Sequence, residues 1–319
     1  TSWVPLGSGM NDTVDALAVQ PNGGLVAGGQ FVTASGAQAN YTARWDGAAW
    51  SPLGVGVDAP VRALAALPNN DVVAGGDFTA AGGSPAAFVA RWDGAAWSPL
   101  GSGTNQPVAA LLALPNGDVI AGGSFTAAGG VPAAHVARWD GATWTALGGG
   151  FNAPVRTLVR LVNGDLVAGG QLTLADGAPA AFVARWNGTA WSPLGLGMDA
   201  PVEALFVAQN GDLIAGGTFT LAGGLPASRV ARWNGSTWSP LGVGVDAGVE
   251  AFTSLPNGEL VVGGQFQNAG GNAAPYVARW NGAVWTSIGT GMDAAVLTLT
   301  SMPNGDPIVV VLGEGARAE

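Results

Sequence analysis

The stretch from Pro60 to Gly101, PVRALAALPNNDVVAGGDFTAAGGSPAAFVARWDGAAWSPLG, decides the fold. It contains four short apolar segments, VRALAAL, DVVAGGDF, AFVARW and WSPLG, which we name strands A, B, C and D. PNN lies between A and B, and DGAA lies between C and D. In most copies these turns contain Asn-Gly or Asp-Gly, which favour hairpins because both residues accept a positive φ. The stretch therefore predicts a unit of four β-strands.

Tryptophan shows that this unit recurs along the chain with a period of 47 residues. Repeat units start at Trp3, Trp50, Trp97, Trp144, Trp191, Trp238 and Trp285. The other six Trp each lie 42 residues after one of the first six, at Trp45, Trp92, Trp139, Trp186, Trp233 and Trp280. Two repeat positions thus account for all 13 Trp, so we interpret these residues as structural.

Both faces of the predicted strands are apolar and rich in small residues, which indicates sheets covered on both sides by neighbouring units. Four-stranded units of this length that stack radially form a β-propeller, an architecture that leaves few exposed sheet edges. A helical solenoid is excluded by the Gly-Gly pair in strand B. We therefore predict an all-β chain, with residues 1–319 forming a single β-propeller domain.

The two ends of the chain determine the number of blades. Six units with strands A to D extend from Val14 to about Ile288. An N-terminal strand D (residues 3–6) and C-terminal strands A and B (residues 296–302 and 307–312) remain, and together they predict a seventh blade closed by the N-terminal strand. The alternative is six blades plus an appendage, because only GEGARAE follows strand B. In that segment, Ala316-Arg317 is the candidate for a vestigial strand C.

The repeat pattern VxALxxLPNGDLVAGGxFxxAGGxxAxxVARWDGxxWSPLGxG resembles Kelch-like propellers. It is most similar to bacterial delta-type repeat propellers and to the cortical polarity-marker family, which share the GGxF and W-x-x-LG phrases. This resemblance implies a secreted bacterial protein, in the extracellular space or at the cell surface, without a shared enzymatic activity. The copper chemistry of galactose oxidase does not carry over, because this chain has one His, two Tyr and no Cys.

The composition excludes several function classes. The chain is acidic, with 11 Arg, no Lys, 21 Asp and Glu and a formal net charge of -10. We therefore expect no nucleic-acid binding, which normally requires a basic patch. Six Arg occupy one position in strand C, where we interpret them as structural residues that pair with Asp or a carbonyl and stack on Trp: Arg44, Arg91, Arg138, Arg185, Arg232 and Arg279. The absence of Cys excludes disulfides and thiol chemistry, and no apolar run is long enough to span a membrane.

Catalytic residues are not indicated, and we predict no enzymatic activity and no cofactor. His135 is the single His, and it occupies a position that holds Phe, Tyr or Arg in other repeats. Glycan hydrolysis, a less favoured alternative, requires two opposed carboxylates. Most acidic residues, however, lie in turns that explain them locally.

A row of acid and amide residues lies eight positions after each marker Trp, just before strand A. Its members are Asn11, Asp58, Asn105, Asn152, Asp199, Asp246 and Asp293. Oxygen ligands of this kind bind calcium when six to eight converge. The alternative, which we favour, is that each side chain caps its own loop in an Asx turn.

Function is expected at the end of each blade that carries the long B–C and D–A connections, since the opposite end carries only tight turns. We name it the long-loop end. Strand C opens there with a mostly aromatic row, Tyr41, Phe88, His135, Phe182, Arg229 and Tyr276. These side chains are candidate contacts for a protein or glycan ligand, or they cover the seam between blades. We predict a binding or display propeller, with a structural or assembly subunit as the alternative.

Overall fold

The structure, a computed structural model, describes residues 3–311 and the backbone of the strand Ala316–Ala318. All regular secondary structure in this part of the chain is β-strand, and it contains no helix that could cross a membrane. Tertiary contacts divide it into two compact units. One comprises residues 4–150 with 316–318, and the other comprises Trp3 with residues 151–311.

Each complete blade is an antiparallel sheet in the order A-B-C-D. The A strands are Val14–Val19, Val61–Ala66, Val108–Ala113, Val155–Arg160, Val202–Val207 and Val249–Ser254. The B strands are Leu25–Gly29, Val72–Gly76, Val119–Gly123, Leu166–Gly170, Leu213–Gly217 and Leu260–Gly264. The C strands are Thr42–Trp45, Val89–Trp92, Val136–Trp139, Val183–Trp186, Val230–Trp233 and Val277–Trp280. The D strands are Trp50–Pro52, Trp97–Pro99, Trp144–Ala146, Trp191–Pro193, Trp238–Pro240 and Trp285–Ser287.

Strand B is fully buried because its Gly-Gly pair lets neighbouring backbones approach closely. A Cβ on Gly75 would lie 2.5 Å from Val108 Cγ1 in the next blade, and one on Gly76 would lie 2.2 Å from the carbonyl oxygen of Pro60. Any larger residue would therefore separate the sheets or break the pairing with strand A. The core of each blade consists of such close contacts, closed by fully buried side chains such as Phe78 and Phe125.

The seam between adjacent blades of a unit is held by the Trp that opens strand D. Its indole N–H donates to the Leu carbonyl 44 residues earlier, in the segment that follows the previous strand D. Examples are Trp97 Nε1 to Leu53 O at 2.8 Å and Trp144 Nε1 to Leu100 O at 2.7 Å. Each such Trp also packs against the Trp that ends strand C, with ring centroids 5.2–5.6 Å apart across six pairs.

The ends of the chain form two further antiparallel pairs. In one unit Val4–Pro5 pairs with Ala316–Ala318, the segment in which the sequence suggested a vestigial strand. In the other, Val296–Ser301 pairs with Pro307–Val311, and Trp3 packs against the apolar cluster around that hairpin. Leu312, the predicted end of this strand, lies outside the described residues.

Six complete four-stranded blades are present within the two units, which matches the six-blade alternative. The closed seventh blade and the single domain spanning residues 1–319 remain predictions. The contact of Trp3 with the C-terminal hairpin is one that closure by the N-terminal strand would require.

Candidate functional site

The long-loop end of each complete blade carries a small hairpin within the B–C connection, which the sequence did not predict. These hairpins lie between strands B and C and pair two residues with two: Thr33–Ala34 with Ala37–Gln38, Ala80–Ala81 with Ser84–Pro85, Ala127–Ala128 with Val131–Pro132, Leu174–Ala175 with Ala178–Pro179, Leu221–Ala222 with Leu225–Pro226, and Asn268–Ala269 with Asn272–Ala273. A bridge such as Met198 to Ala222 joins the D–A connection to the hairpin. The two connections therefore form one continuous surface on each blade.

The acid and amide row anchors these hairpins. Asp199 Oδ1 accepts the backbone N–H groups of Thr220 and Leu221, each at 2.8 Å, and the Thr220 hydroxyl donates to Asp199 Oδ2 at 2.6 Å. The same double N–H contact is made by Asn11, Asp58, Asn105, Asn152 and Asp246. This differs from the expected Asx turn, because the partners lie 21 and 22 residues downstream rather than in the same loop. Asp293, the seventh member, is exposed.

These hydrogen bonds change the acidity of the carboxylates. Partial burial acts to raise the pKa of Asp58, Asp199 and Asp246, but the N–H and side-chain donors of the hairpin outweigh it, so each pKa is lowered. Within the described residues no three His, Asp or Glu side chains are grouped as metal ligands. The carboxylates of the row instead serve separate hairpins. Calcium binding at Asp58, Asp199, Asp246 and Asp293 remains a prediction, and calorimetry at millimolar calcium would test it.

The row that opens strand C has a backbone conformation that the sequence did not reveal. All six residues have a positive φ, between 65° and 70°. In each, the N–H donates to a carbonyl ten residues earlier, and the carbonyl accepts an N–H from the end of strand B, as Phe88 does with Phe78 O at 2.9 Å and with Gly76 N at 3.1 Å. This left-handed position costs an L-residue roughly 1 kcal/mol. The two hydrogen bonds to the flanking sheet therefore hold each residue in this conformation.

The side chains of that row are half-buried and contact the neighbouring blade. Tyr41, Phe88 and Phe182 each pack against the apolar cluster of the blade that follows in the chain. Tyr276 packs against the cluster around the C-terminal hairpin. The ring of His135 donates through Nδ1 to the carbonyl of Gly123, at 3.0 Å. This arrangement covers the seam between blades, the second role considered for these residues. Arg229 is also half-buried.

The recurrent Arg of strand C pairs with the acid that opens strand B in five blades. The pairs are Arg91 with Asp71, Arg138 with Asp118, Arg185 with Asp165, Arg232 with Asp212 and Arg279 with Glu259. Gly24 replaces that acid next to Arg44. These pairs lie at the tight-turn end of the blades, where the acid and the Arg belong to adjacent strands of one sheet. Stacking of Arg on Trp remains a prediction.

A charged row on strand A was missed by the sequence analysis. Strands A and B shift register at the second residue of strand A, which is a β-bulge, and that residue is charged in five blades. Arg156 Nε lies 3.2 Å from Glu203 Oε2 of the next blade, and Gln265 donates to Glu250 at 2.9 Å. Burial raises the pKa of both Glu203 and Glu250. The sequence does contain a sign of this row, because the second residue of strand A differs from repeat to repeat while its neighbours stay mostly apolar.

Exposed apolar side chains concentrate at the long-loop end, which the sequence analysis also missed. Of the large exposed hydrophobic residues in the described chain, eight lie there: Val32, Val55, Val131, Leu174, Leu196, Leu221, Leu225 and Val243. Leu196 is 75% exposed and lies against the hairpin turn at Gly224, in the same blade as Leu221 and Leu225. Comparison of the repeats could have found this surface, because other blades have Ala or Ser at several of these positions.

Shallow grooves run beside these side chains, between consecutive blades of a unit. One, of about 390 Å³, is lined by Tyr41, Val55, Asp58 and Gly83. Its counterpart in the other unit, of about 440 Å³, is lined by Ser228, Val243, Asp246 and Asn268. The walls combine apolar side chains with carboxylate, amide and backbone groups, a composition typical of ligand-binding grooves.

Comparisons with known proteins agree with this architecture. Residues 255–281 match a family model described as a domain of unknown function (DUF5122) beta-propeller. No curated protein sequence matches the chain.

Solved structures give broader matches. The WD40 β-propeller domain of Doa1 has a TM-score of 0.66 and 16% identity, covering 100% of this chain and 96% of the other. The extracellular domain of a putative hybrid two-component system from B. thetaiotaomicron has a TM-score of 0.64 and 10% identity, and this chain covers 39% of it. The computationally designed protein Ika8 has a TM-score of 0.61 and 17% identity, with 98% of both chains covered. The fold of the chain is therefore a β-propeller.

Proposed function

We propose that this chain is a non-enzymatic binding module, displayed outside the cell, that engages a protein or glycan partner through the long-loop ends of its blades. The alternative of a structural or assembly subunit would use the same surface. One structural neighbour is an extracellular domain, which supports the proposed location. The similarity to Kelch-like and delta-type propellers remains part of this proposal.

The observation that carries the proposal is the presence of exposed Leu where the fold accepts smaller residues. Leu174 and Leu221 occupy a hairpin position that holds Ala80 and Ala127 in other blades. The backbone pairing is the same in all four cases. The larger side chain is therefore not needed for folding, and exposed apolar surface of this kind marks interaction sites.

The same comparison holds at two further positions. Leu196 corresponds to Ser102, and Leu225 corresponds to Ala37. Leu196, Leu221 and Leu225 belong to one blade and Leu174 to the preceding blade of the same unit. A partner that contacts consecutive blades would bury all four.

The test is a glycan-array and purified-protein binding screen with the wild-type chain, followed by the variant Leu174→Ala, Leu196→Ser, Leu221→Ala and Leu225→Ala. Each change installs the residue of another blade, so we expect unchanged folding and at least tenfold weaker binding, roughly 1.4 kcal/mol or more. The matched control is Val162→Gln, which removes a Val that is 78% exposed at the tight-turn end and installs the residue of Gln209. Equal affinity of the quadruple variant and the wild type would contradict the proposal.

The aromatic row is tested separately against the same ligand. Tyr41→Ala, Phe88→Ala and Phe182→Ala should lower stability by about 2 kcal/mol each, since half-buried rings lose less than fully buried ones. Unchanged affinity with lowered stability assigns the row to packing between blades. A loss of affinity at unchanged stability would make these rings ligand contacts. Concentration-dependent oligomers of the wild-type chain that the quadruple Leu variant lacks would favour the assembly role.

A further inference from the structure

The Asn-Gly pairs of this chain fall into two structural classes. Six lie in A–B turns: Asn22-Gly23, Asn116-Gly117, Asn163-Gly164, Asn210-Gly211, Asn257-Gly258 and Asn304-Gly305. Three lie in C–D turns: Asn187-Gly188, Asn234-Gly235 and Asn281-Gly282. The first three blades have Asp46, Asp93 and Asp140 at the equivalent C–D position.

The two classes differ first in the backbone N–H of the glycine. In every A–B turn this N–H donates to the carbonyl three residues earlier, at 2.8–2.9 Å, as Gly117 does to Leu114. The N–H groups of Gly188, Gly235 and Gly282 make no hydrogen bond to any part of the chain that the structure describes. They lie in exposed turns, so solvent base reaches them without opening of the fold.

The classes differ next in the asparagine side chain. Asn187 Oδ1 accepts the N–H groups of Thr189 and Ala190, both at 3.0 Å. Asn234 and Asn281 accept two N–H groups in the same way, at 2.9–3.0 Å. Two donors aimed at one carbonyl oxygen polarise Cγ and stabilise negative charge that develops on that oxygen.

In four of the six A–B turns, those of Asn116, Asn163, Asn210 and Asn304, the asparagine side chain instead donates to the carboxylate two residues later. The Asn116 Oδ1 accepts only the N–H of Asp118, at 3.3 Å, and its Nδ2 donates to the Asp118 carboxylate at 2.7 Å. A negative charge beside the amide opposes the formation of an anionic nucleophile and an oxyanion at the same place.

We propose that Asn187, Asn234 and Asn281 are sites of spontaneous deamidation that the fold favours over the Asn-Gly pairs of the A–B turns. The deprotonated Gly188 nitrogen attacks Asn187 Cγ, forming a C–N bond. The Cγ–Nδ2 bond then breaks, and Nδ2 leaves as ammonia after taking up protons from water. The resulting succinimide adds one water molecule and opens to aspartate or isoaspartate, with no change in oxidation state.

The aspartate product fits the turn. Asp46 Oδ1 already accepts the N–H groups of Ala48 and Ala49, both at 2.9 Å, in the geometry that Asn187 uses. Deamidation at the three sites would therefore give each C–D turn the residue of the first three blades. It would also add three negative charges to a chain whose net charge is -10. This inference is independent of the proposed binding function.

The experiment incubates the full chain at neutral to mildly alkaline pH and digests it with pepsin at acidic pH. Mass spectrometry then follows the exchange of NH₂ for OH at each Asn-Gly pair. We expect deamidation at the C–D sites to be at least about tenfold faster than at the A–B sites. This is less than the roughly hundredfold rate effect of a single hydrogen-bond donor to a developing oxyanion. A parallel incubation in urea should bring the two classes to similar rates.

The variant Asn187→Asp, Asn234→Asp and Asn281→Asp is the control. It should melt at the wild-type temperature and show no further mass gain in the C–D peptides. Equal rates in the folded chain, or faster reaction at the A–B sites, would overturn the proposal. A C–D preference that persists unchanged in urea would also overturn it, because local sequence rather than the fold would then set the rates.

Discussion

At the scale of single residues, one position performs the same task with two chemistries. Asn11, Asn105 and Asn152 anchor the small hairpin through an amide oxygen, whereas Asp58, Asp199 and Asp246 do so through a carboxylate. Both side chains present one oxygen to two N–H donors. Only the carboxylate makes the contact depend on pH.

We expect Asp58→Ala to destabilise the chain by about 1 kcal/mol, the net value of a hydrogen-bonded contact, and Asp58→Asn to be near neutral at pH 7. The pKa of Asp58 is lowered by folding. Its contribution is therefore complete above the ordinary Asp pKa and is lost as pH falls through the lowered value. Melting temperatures between pH 2 and 7 should show a smaller acid loss for Asp58→Asn than for the wild type. Identical pH profiles would refute this role.

At the scale of the blade, two glycines, two tryptophans and one bulge determine how a sheet meets its neighbour. The Gly-Gly pair allows strand B to lie close to the next strand A, and the Trp of strand D bonds to the preceding connection. The bulge turns a charged side chain out of strand A. The charged row of strand A and the Trp hydrogen bonds between blades are thus both consequences of how each blade packs.

Trp144→Phe should remove the indole hydrogen bond to Leu100 and leave that buried carbonyl with the N–H of Gly103 as its remaining donor. We expect a loss of about 1–2 kcal/mol, measured by denaturant unfolding. Trp139→Phe is the matched control, since it shortens the other ring of the same pair and keeps that hydrogen bond. A larger loss for Trp139→Phe would show that ring packing, not the hydrogen bond, holds the seam.

The charged row predicts an opposite pH effect. Burial raises the pKa of Glu250, which lies near Glu203 and accepts a hydrogen bond from Gln265. Folding therefore favours the protonated form, and its stabilising contribution is lost as pH rises through the raised value. Glu250→Gln should raise the melting temperature at pH 7 by about 1–3 °C and change it less near pH 4. A lower melting temperature for the variant at pH 7 would contradict this assignment.

At the scale of the whole molecule, residues near the two ends of the chain contact each other. Val4–Pro5 pairs with Ala316–Ala318, and Trp3 packs on the cluster around Val296. Both contacts join residues from opposite ends of the sequence. They are the contacts through which a closed fold would avoid an exposed sheet edge.

Deletion of residues 1–7 should therefore lower the melting temperature of the entire cooperative unit by about 5 °C or more, rather than melt one blade alone. Trp3→Ala, which keeps the strand, should have a smaller effect. Calorimetry of the three proteins distinguishes these cases. A truncated chain that melts like the wild type would exclude closure by the N-terminal strand.

The sequence by itself determined the period, the four strands of each unit and the tight turns. These depend on local preferences, such as the positive φ of Asn-Gly and the small residues of strand B, which repeat at fixed spacing. The sequence also located the rows of Trp, Arg, acid and aromatic residues, because each row recurs every 47 residues.

The tertiary structure decided what those rows contact. Asp199 accepts a hydrogen bond from a hairpin that begins 22 residues later, and Phe182 packs on the following blade. The exposure of Leu196 and Leu221 is decided in the same way. Each of these contacts depends on residues that are distant along the chain and adjacent only after folding. Local sequence preferences therefore do not predict them.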